Sequence, residues 1–206
     1  KSVKKEPLIA AEILNIADNL KNIRNPRNPK IKSLEHALVY VGRKTLQEIV
    51  IVASLKLIKL PTSKFDEQDF WEHSFLTAAI AEETAKQYSK QEERDKIYLA
   101  GCLCNIGKII SAIAFPDKTD KLWELLNCTE TQTTWLNLEK QLQLPSHCIL
   151  GEIASSLWGL PHFVTDAASL HHSKTNSYKA NINAPLIKIA SFANMLAHWV
   201  RLSPHL

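Results

Sequence analysis

Glycine is scarce, with five residues in a chain of 206. They are scattered, so no glycine-rich loop cradles a phosphate, and neither a His-Glu-x-x-His pair nor a nucleophile elbow is found. Long hydrophobic runs are missing too. The apolar stretch from Ile49 to Leu60 is interrupted by Ser54, Lys56 and Lys59, and a spanning helix needs about 18 unbroken residues. No secretory leader is seen at the start, where Lys1 is not an initiator. The four cysteines, Cys102, Cys104, Cys128 and Cys148, show neither disulfide-scaffold nor zinc-knuckle spacing. A reducing cytoplasm is the expected setting.

What is present is ordinary for a globular protein: 45% hydrophobic and 22% charged residues, with a formal charge of +4. The charge is uneven. Residues 1–60 hold twelve Lys/Arg against five Asp/Glu. A basic segment can meet nucleic acid or an acidic partner, but no aromatic-interleaved basic motif accompanies it, so solvated helix faces are the expected use and nucleic acid is not an expected partner.

Nearly every segment carries helical periodicity, and the nine prolines sit at boundaries. The expected fold class is all-α. Pro7 suits a first helical turn, followed by Ile9, Ile13, Ile16 and Leu20 at helical spacing. Asn25 to Pro29 breaks that helix. Ser33 is an N-cap candidate for a short helix that Gly42 closes with positive φ, and Thr45 to Glu48 forms a capping box for the next, which Pro61 stops. Asp66 should cap a helix from Glu67 to about Tyr88 with Phe70, His73, Thr77, Ala81 and Thr84 on its buried face. A charged turn is expected around Gln91 to Asp95, then a helix through Ile97, Ala100, Gly101 and Cys104, with Gly107 allowing a bend or restart. The pieces 117–127 and 133–142 offer Trp123, Leu126, Trp135 and Leu138 for packing and no evident chemistry. Helices then run from His147 to Trp158, from Pro161 to His171-His172, and from Ala184 through Asn194.

The opening, Glu6 to Asn19 and then Ile31-Lys32-Ser33-Leu34-Glu35 through Gly42, resembles the HDOD family, the HD-related output domains. The later Trp158-Gly159-Leu160-Pro161 and His171-His172 are similar to the same family and to its catalytic cousins, the HD-GYP cyclic-di-GMP phosphodiesterases. The resemblance covers nearly the whole chain. It implies a single HD-like multi-helix domain, 1–206, with a smaller N-terminal helical lobe, 1–60, and a larger HD-like lobe, 61–206, packed along a shared hydrophobic groove where a partner or ligand would bind. It also implies a bacterial cytoplasmic signalling module acting on a protein partner or a fused signalling domain, with no membrane contact.

Carried over position by position, the cousins' metal site would draw on His73, Cys104, Asn105, His147, His171, His172 and Asn194. Where His-Asp-Ile-Gly-Lys is expected, this chain has Cys104-Asn105-Ile106-Gly107-Lys108, and the terminal aspartate is Asn194. Two-metal hydrolysis needs an anionic oxygen between the cations. An asparagine amide offers a neutral carbonyl instead. Cys104 would have to ionise from a pKa of about 8.5 and would favour soft ions. The expectation is therefore no catalytic residue, no metal and no cofactor, with the histidines kept as a polar core network and Lys108 as a helix-surface charge. The alternatives are a residual metal-dependent phosphohydrolase, holding a transition metal on the four histidines, and a nucleic-acid binder using the basic first 60 residues.

Overall fold

The computed structural model describes residues 7–25, 27–86, 91–128 and 133–200. Among these, ten α-helices and one 3₁₀ turn account for all regular structure, and there is no strand. The chain divides into two compact units, Lys1–Lys59 and Leu60–Leu206.

In the first unit, α1 (Pro7–Arg24) and α2 (Leu34–Lys56) pack together. The buried stripe of α1 is Ile13, Ile16, Ala17 and Leu20, one helical face at the spacing a core needs. Lys21 joins that stripe. Its ammonium pairs with Asp18 at 3.2 Å and donates to the Asn28 carbonyl at 3.0 Å, while Asp18 accepts from the Ile31 amide at 2.8 Å, so the proline-broken loop is tied down. Ser33 caps α2, accepting from the His36 amide. Gly42 has φ 80° and ψ 166°, a region essentially closed to side chains, and, as expected, it closes the first of two helices that run on across a kink as α2. The side chain of Glu48, the far member of the expected capping box, lies outside the described residues.

The second unit holds α3 (Glu67–Ala85), α4 (Gln91–Leu103), α5 (Ile106–Ala114), α6 (Pro116–Leu126), α7 (Trp135–Gln141), α8 (His147–Leu157), α9 (His162–Leu170) and α10 (Ala184–Val200). Asp66 caps α3, accepting from the Asp69 amide at 2.9 Å. The expected buried face is observed at Phe70, His73, Thr77 and Ala81, and Thr84 is half-buried. Tyr88, the expected end of this helix, lies outside the described residues.

Gln91 to Asp95, read from its charges as a turn, is the first part of α4. Its charged residues are all good helix formers or tolerated at a solvated helix start, so charge density alone did not mark a break. Within the run Glu93–Ala114, spanning α4 and α5, an 18-residue window reaches a mean hydropathy of 1.7, and 83% of that window is buried inside the fold. It is the central layer, with α3 and α10 packed on α4, and α8 on α5.

Gly107 makes the α5–α8 crossing possible. A Cβ at this position would stand 1.8 Å from the His147 carbonyl oxygen, so only glycine fits. This contact brings the start of α8 against the start of α5. On the other side, the Asp120 carboxylate of α6 accepts from the amides of Ser63, Lys64 and Phe65 at 2.7 to 2.9 Å. Phe65 then lies edge-on to Trp123 and Trp135, which seats α7 against the same part of the core.

Candidate functional site

The seven residues singled out from the sequence fall in two adjoining groups. The first is built by α3, the α4–α5 junction and α10. His73 Nε2 lies 2.8 Å from Asn194 Oδ1, and Asn105 Nδ2 donates to the same oxygen at 2.7 Å. An amide oxygen only accepts, so His73 carries its proton on Nε2. Thr77 Oγ1 donates to the His73 carbonyl at 2.8 Å, and the His198 ring lies 4.2 Å from that of His73. His73, Asn105 and Asn194 are buried. Cys104 donates to the Gly101 carbonyl at 3.3 Å, and burial pushes its pKa up to about 12. It stays a thiol at neutral pH. The two amides and the thiol of this group carry no charge.

The second group comes from α7, α8 and the end of α9. His147 is wholly buried. Its Nδ1 lies 2.9 Å from Glu139 Oε1, which also accepts from the His147 amide at 2.7 Å and from Trp135 Nε1 at 2.9 Å. His171 Nδ1 faces the carbonyls of Ala167 and Ala168 at 3.0 and 3.1 Å. His147 Nε2 and His171 Nε2 are 3.4 Å apart, and Cys148 Sγ is 3.8 Å from His147 Nε2. These three atoms lie within 4.8 Å of one another. Burial, with added repulsion from positive neighbours, holds the pKa of both His147 and His171 well below 6.5. His172, at the rim with more of its surface open, is lowered to about 4, first by desolvation and then by Lys108. Desolvation raises Cys148 to about 11 and also raises Glu139.

Two sequence readings are corrected here. Lys108 is a buried residue, 6% exposed, with its ammonium 4.7 Å above the Trp135 ring. Desolvation lowers its pKa to about 8. The tight α5–α8 crossing and the covering α7 enclose a position that isolated helical periodicity left on the surface. The piece 133–142 also carries chemistry, because its Glu139 orients His147. The available signal was a lone carboxylate on the apolar stripe of Trp135, Leu138 and Leu142, where an acid is kept only if it is hydrogen-bonded.

Between these groups opens a cavity of about 500 Å³. Lys108, His171 and His172 border it with Asn194, and Trp135 and Phe192 supply apolar wall. The two-metal centre implied by the catalytic cousins does not fit this donor set. Asn105 and Asn194 stand where the resemblance implies carboxylates, and the Asn194 oxygen is already taken by two donors. The one acid of the second group, Glu139, is turned toward His147 and has its Oε1 occupied threefold.

The HDOD domain family model matches residues 1–174. An HDOD domain protein of unknown function from Geobacter sulfurreducens has a similar structure, with a TM-score of 0.74 at 22% identity over 98% of this chain and 65% of that one. A Shewanella amazonensis SB2B protein named "Putative phosphohydrolase" gives a TM-score of 0.72 at 19% identity, over 97% and 68% of the two chains. A Treponema pallidum (strain Nichols) "Uncharacterized protein" is 25% identical over 194 residues, which cover 91% of this chain and 36% of that protein. The chain thus spans about a third of the length of that curated relative.

Proposed function

Starting from the fact that this chain belongs to the HDOD domain family, we propose that it is a non-catalytic signal-transduction module of the bacterial cytoplasm. It acts by binding a protein partner or an attached domain. The observation that carries this reading is the Asn105–Asn194 pair, two buried amides bonded at 2.7 Å where the catalytic cousins keep carboxylates. Two divalent cations side by side need anionic oxygen to hold their combined charge. A neutral amide that already accepts from His73 and Asn105 supplies none. The greater length of the Treponema relative supports an attached domain. The four cysteines form no disulfide, in keeping with a reducing compartment.

The test is hydrolysis of cyclic dinucleotides and simple phosphoesters by the purified chain supplied with manganese, iron or magnesium. No turnover above the protein-free control is expected. Enzyme-like turnover that disappears in His73→Ala overturns the reading.

A second reading, a residual metal-dependent phosphohydrolase, is supported by the likeness to the Shewanella protein and by His171 and His172 bordering the cavity with His147 packed behind His171. It predicts that activity depends on His147 and His171. Nucleic acid is not a proposed partner, and binding with a steep salt dependence would contradict this.

A further inference from the structure

We propose that the cavity bordered by Lys108 and Asn194 is a binding site for a small organic monoanion, an aromatic carboxylic acid held as an effector and not turned over. The proposal adds a small ligand to a module so far read as binding a protein partner or an attached domain. It rests on the non-catalytic reading in one respect, that no metal pair stands beside Asn194.

The donors carry the argument. Among the described residues the Lys108 ammonium has no hydrogen bond and no carboxylate within ion-pair reach, and it rests over the Trp135 ring at 4.7 Å. Glu139 acts on it only at longer range, with Oε1 committed to His147 and Trp135. Asn194 is in a related condition. Its Oδ1 is taken by His73 and Asn105, while its Nδ2 donates to nothing among the described residues. Both side chains are more than nine-tenths buried, Lys108 at 6% and Asn194 at 3% exposed, and both border the cavity. Two buried donors without an acceptor are costly, and the face of an indole offsets only part of the ammonium's lost hydration. A carboxylate is acceptor-only and has two oxygens, so one such group can serve both donors.

Charge and shape narrow the class. Lys108 is the one Lys, Arg, Asp or Glu among the side chains that line the cavity, so a single negative charge balances it. A phosphate monoester carries about −1.5 to −2 at neutral pH and would bring surplus charge against an apolar wall. That wall is Trp135 and Leu136 of α7 with Phe192 and Met195 of α10. Phe192 and Met195 are half-exposed and stand at the mouth, and the two aromatic rings suit an aromatic body. The volume of about 500 Å³ lies within the ~300–1,000 Å³ of pockets that enclose a small organic molecule. A ligand seated there bridges α5, α7 and α10, which gives a small molecule direct purchase on the helices of the second unit.

The experiment is calorimetric titration of the full chain, with a chelator present, using three probes that share one body: 1-naphthylacetate, its neutral amide 1-naphthylacetamide, and 1-naphthyl phosphate. The acid should bind once per chain, about tenfold or more tighter than the amide, and tighter than the phosphate. Lys108→Met should erase the preference for acid over amide, while Lys121→Met, at an exposed lysine of α6, keeps it. Failure of the parent chain to bind the acid, or equal binding of acid and amide, overturns the proposal without reference to any variant's folding. Tighter binding of the phosphate also overturns it. None of these outcomes depends on turnover, so the non-catalytic reading is decided separately, by phosphoester hydrolysis with metal supplied.

Discussion

The two groups that flank the cavity are made of similar residues and are in opposite electrostatic conditions. Around Asn194, a histidine, two amides and a thiol close on one another, and Asn194 Oδ1 takes both donors, from 2.7 and 2.8 Å. Around His147, a buried carboxylate, a buried ammonium and two histidines whose Nε2 atoms are 3.4 Å apart are held together. The Asn194 oxygen is fully taken up by two donors, whereas the ammonium and carboxylate of the second group are buried charges whose desolvation must be offset. The two groups, built from similar side chains, thus differ in whether amides or buried charges meet at their centre.

The change expected to erase the comparison altogether is Gly107→Ala. Its methyl group would meet the His147 carbonyl at 1.8 Å, so α5 and α8 must separate. We expect a loss of more than about 4 kcal/mol in urea unfolding, in the class of severe core disruptions. A variant with parental stability would mean that the crossing is looser than described.

Lys108→Met sharpens the contrast by discharging the second group. Folded Lys108 loses its proton near pH 8, while unfolded lysine holds it to 10.5. Between those values the unfolded state binds more protons, so stability of the metal-free chain should rise with pH through that window. The methionine variant should be more stable at pH 7 by on the order of 3 kcal/mol and should lack this rise. A parental pH profile in the variant would show that the ammonium is solvated.

The opposite limb belongs to the histidines. His147 and His171 are held neutral well below 6.5, so as pH falls below 6.5 the unfolded chain takes up protons the folded one refuses, and stability should fall. His147→Gln should blunt that acid limb in a thermal-melt series. The smallest effect is expected from Asn105→Ala, about 1 kcal/mol, because Asn194 Oδ1 keeps its bond to His73. A loss several times larger would show that the amide group is as demanding as the charged one.

Much of the fold was legible along the chain because helix ends are local events. Ser33 and Asp66 cap the helices they were expected to cap, Pro116 opens α6, and Gly159 turns the end of α8 at φ 64°. These need only the residue and its immediate neighbours. The start of α4 was misread because charged residues serve a solvated helix as well as a turn. In the site, the seven candidates were named through resemblance; the structure gathers them in two groups, of which His171, His172 and Asn194 border the cavity. Lys108, Glu139 and Cys148 were not, since a charged or thiol side chain at a helical position has no local mark of burial.

The sequence by itself determined that the chain is all-helical, where most helices begin and stop, and that amides stand at the two positions where acids were expected. Composition, caps and covalent identity carry those facts without any long-range contact. Only the tertiary structure decided which polar groups lost their water and what each then faced. Glu139 meets His147 across 8 residues and His147 meets His171 across 24, and the Gly107 crossing that creates these meetings depends on backbone approaching backbone. Burial and orientation are properties of that packing, and they set which groups stay neutral and which stay charged.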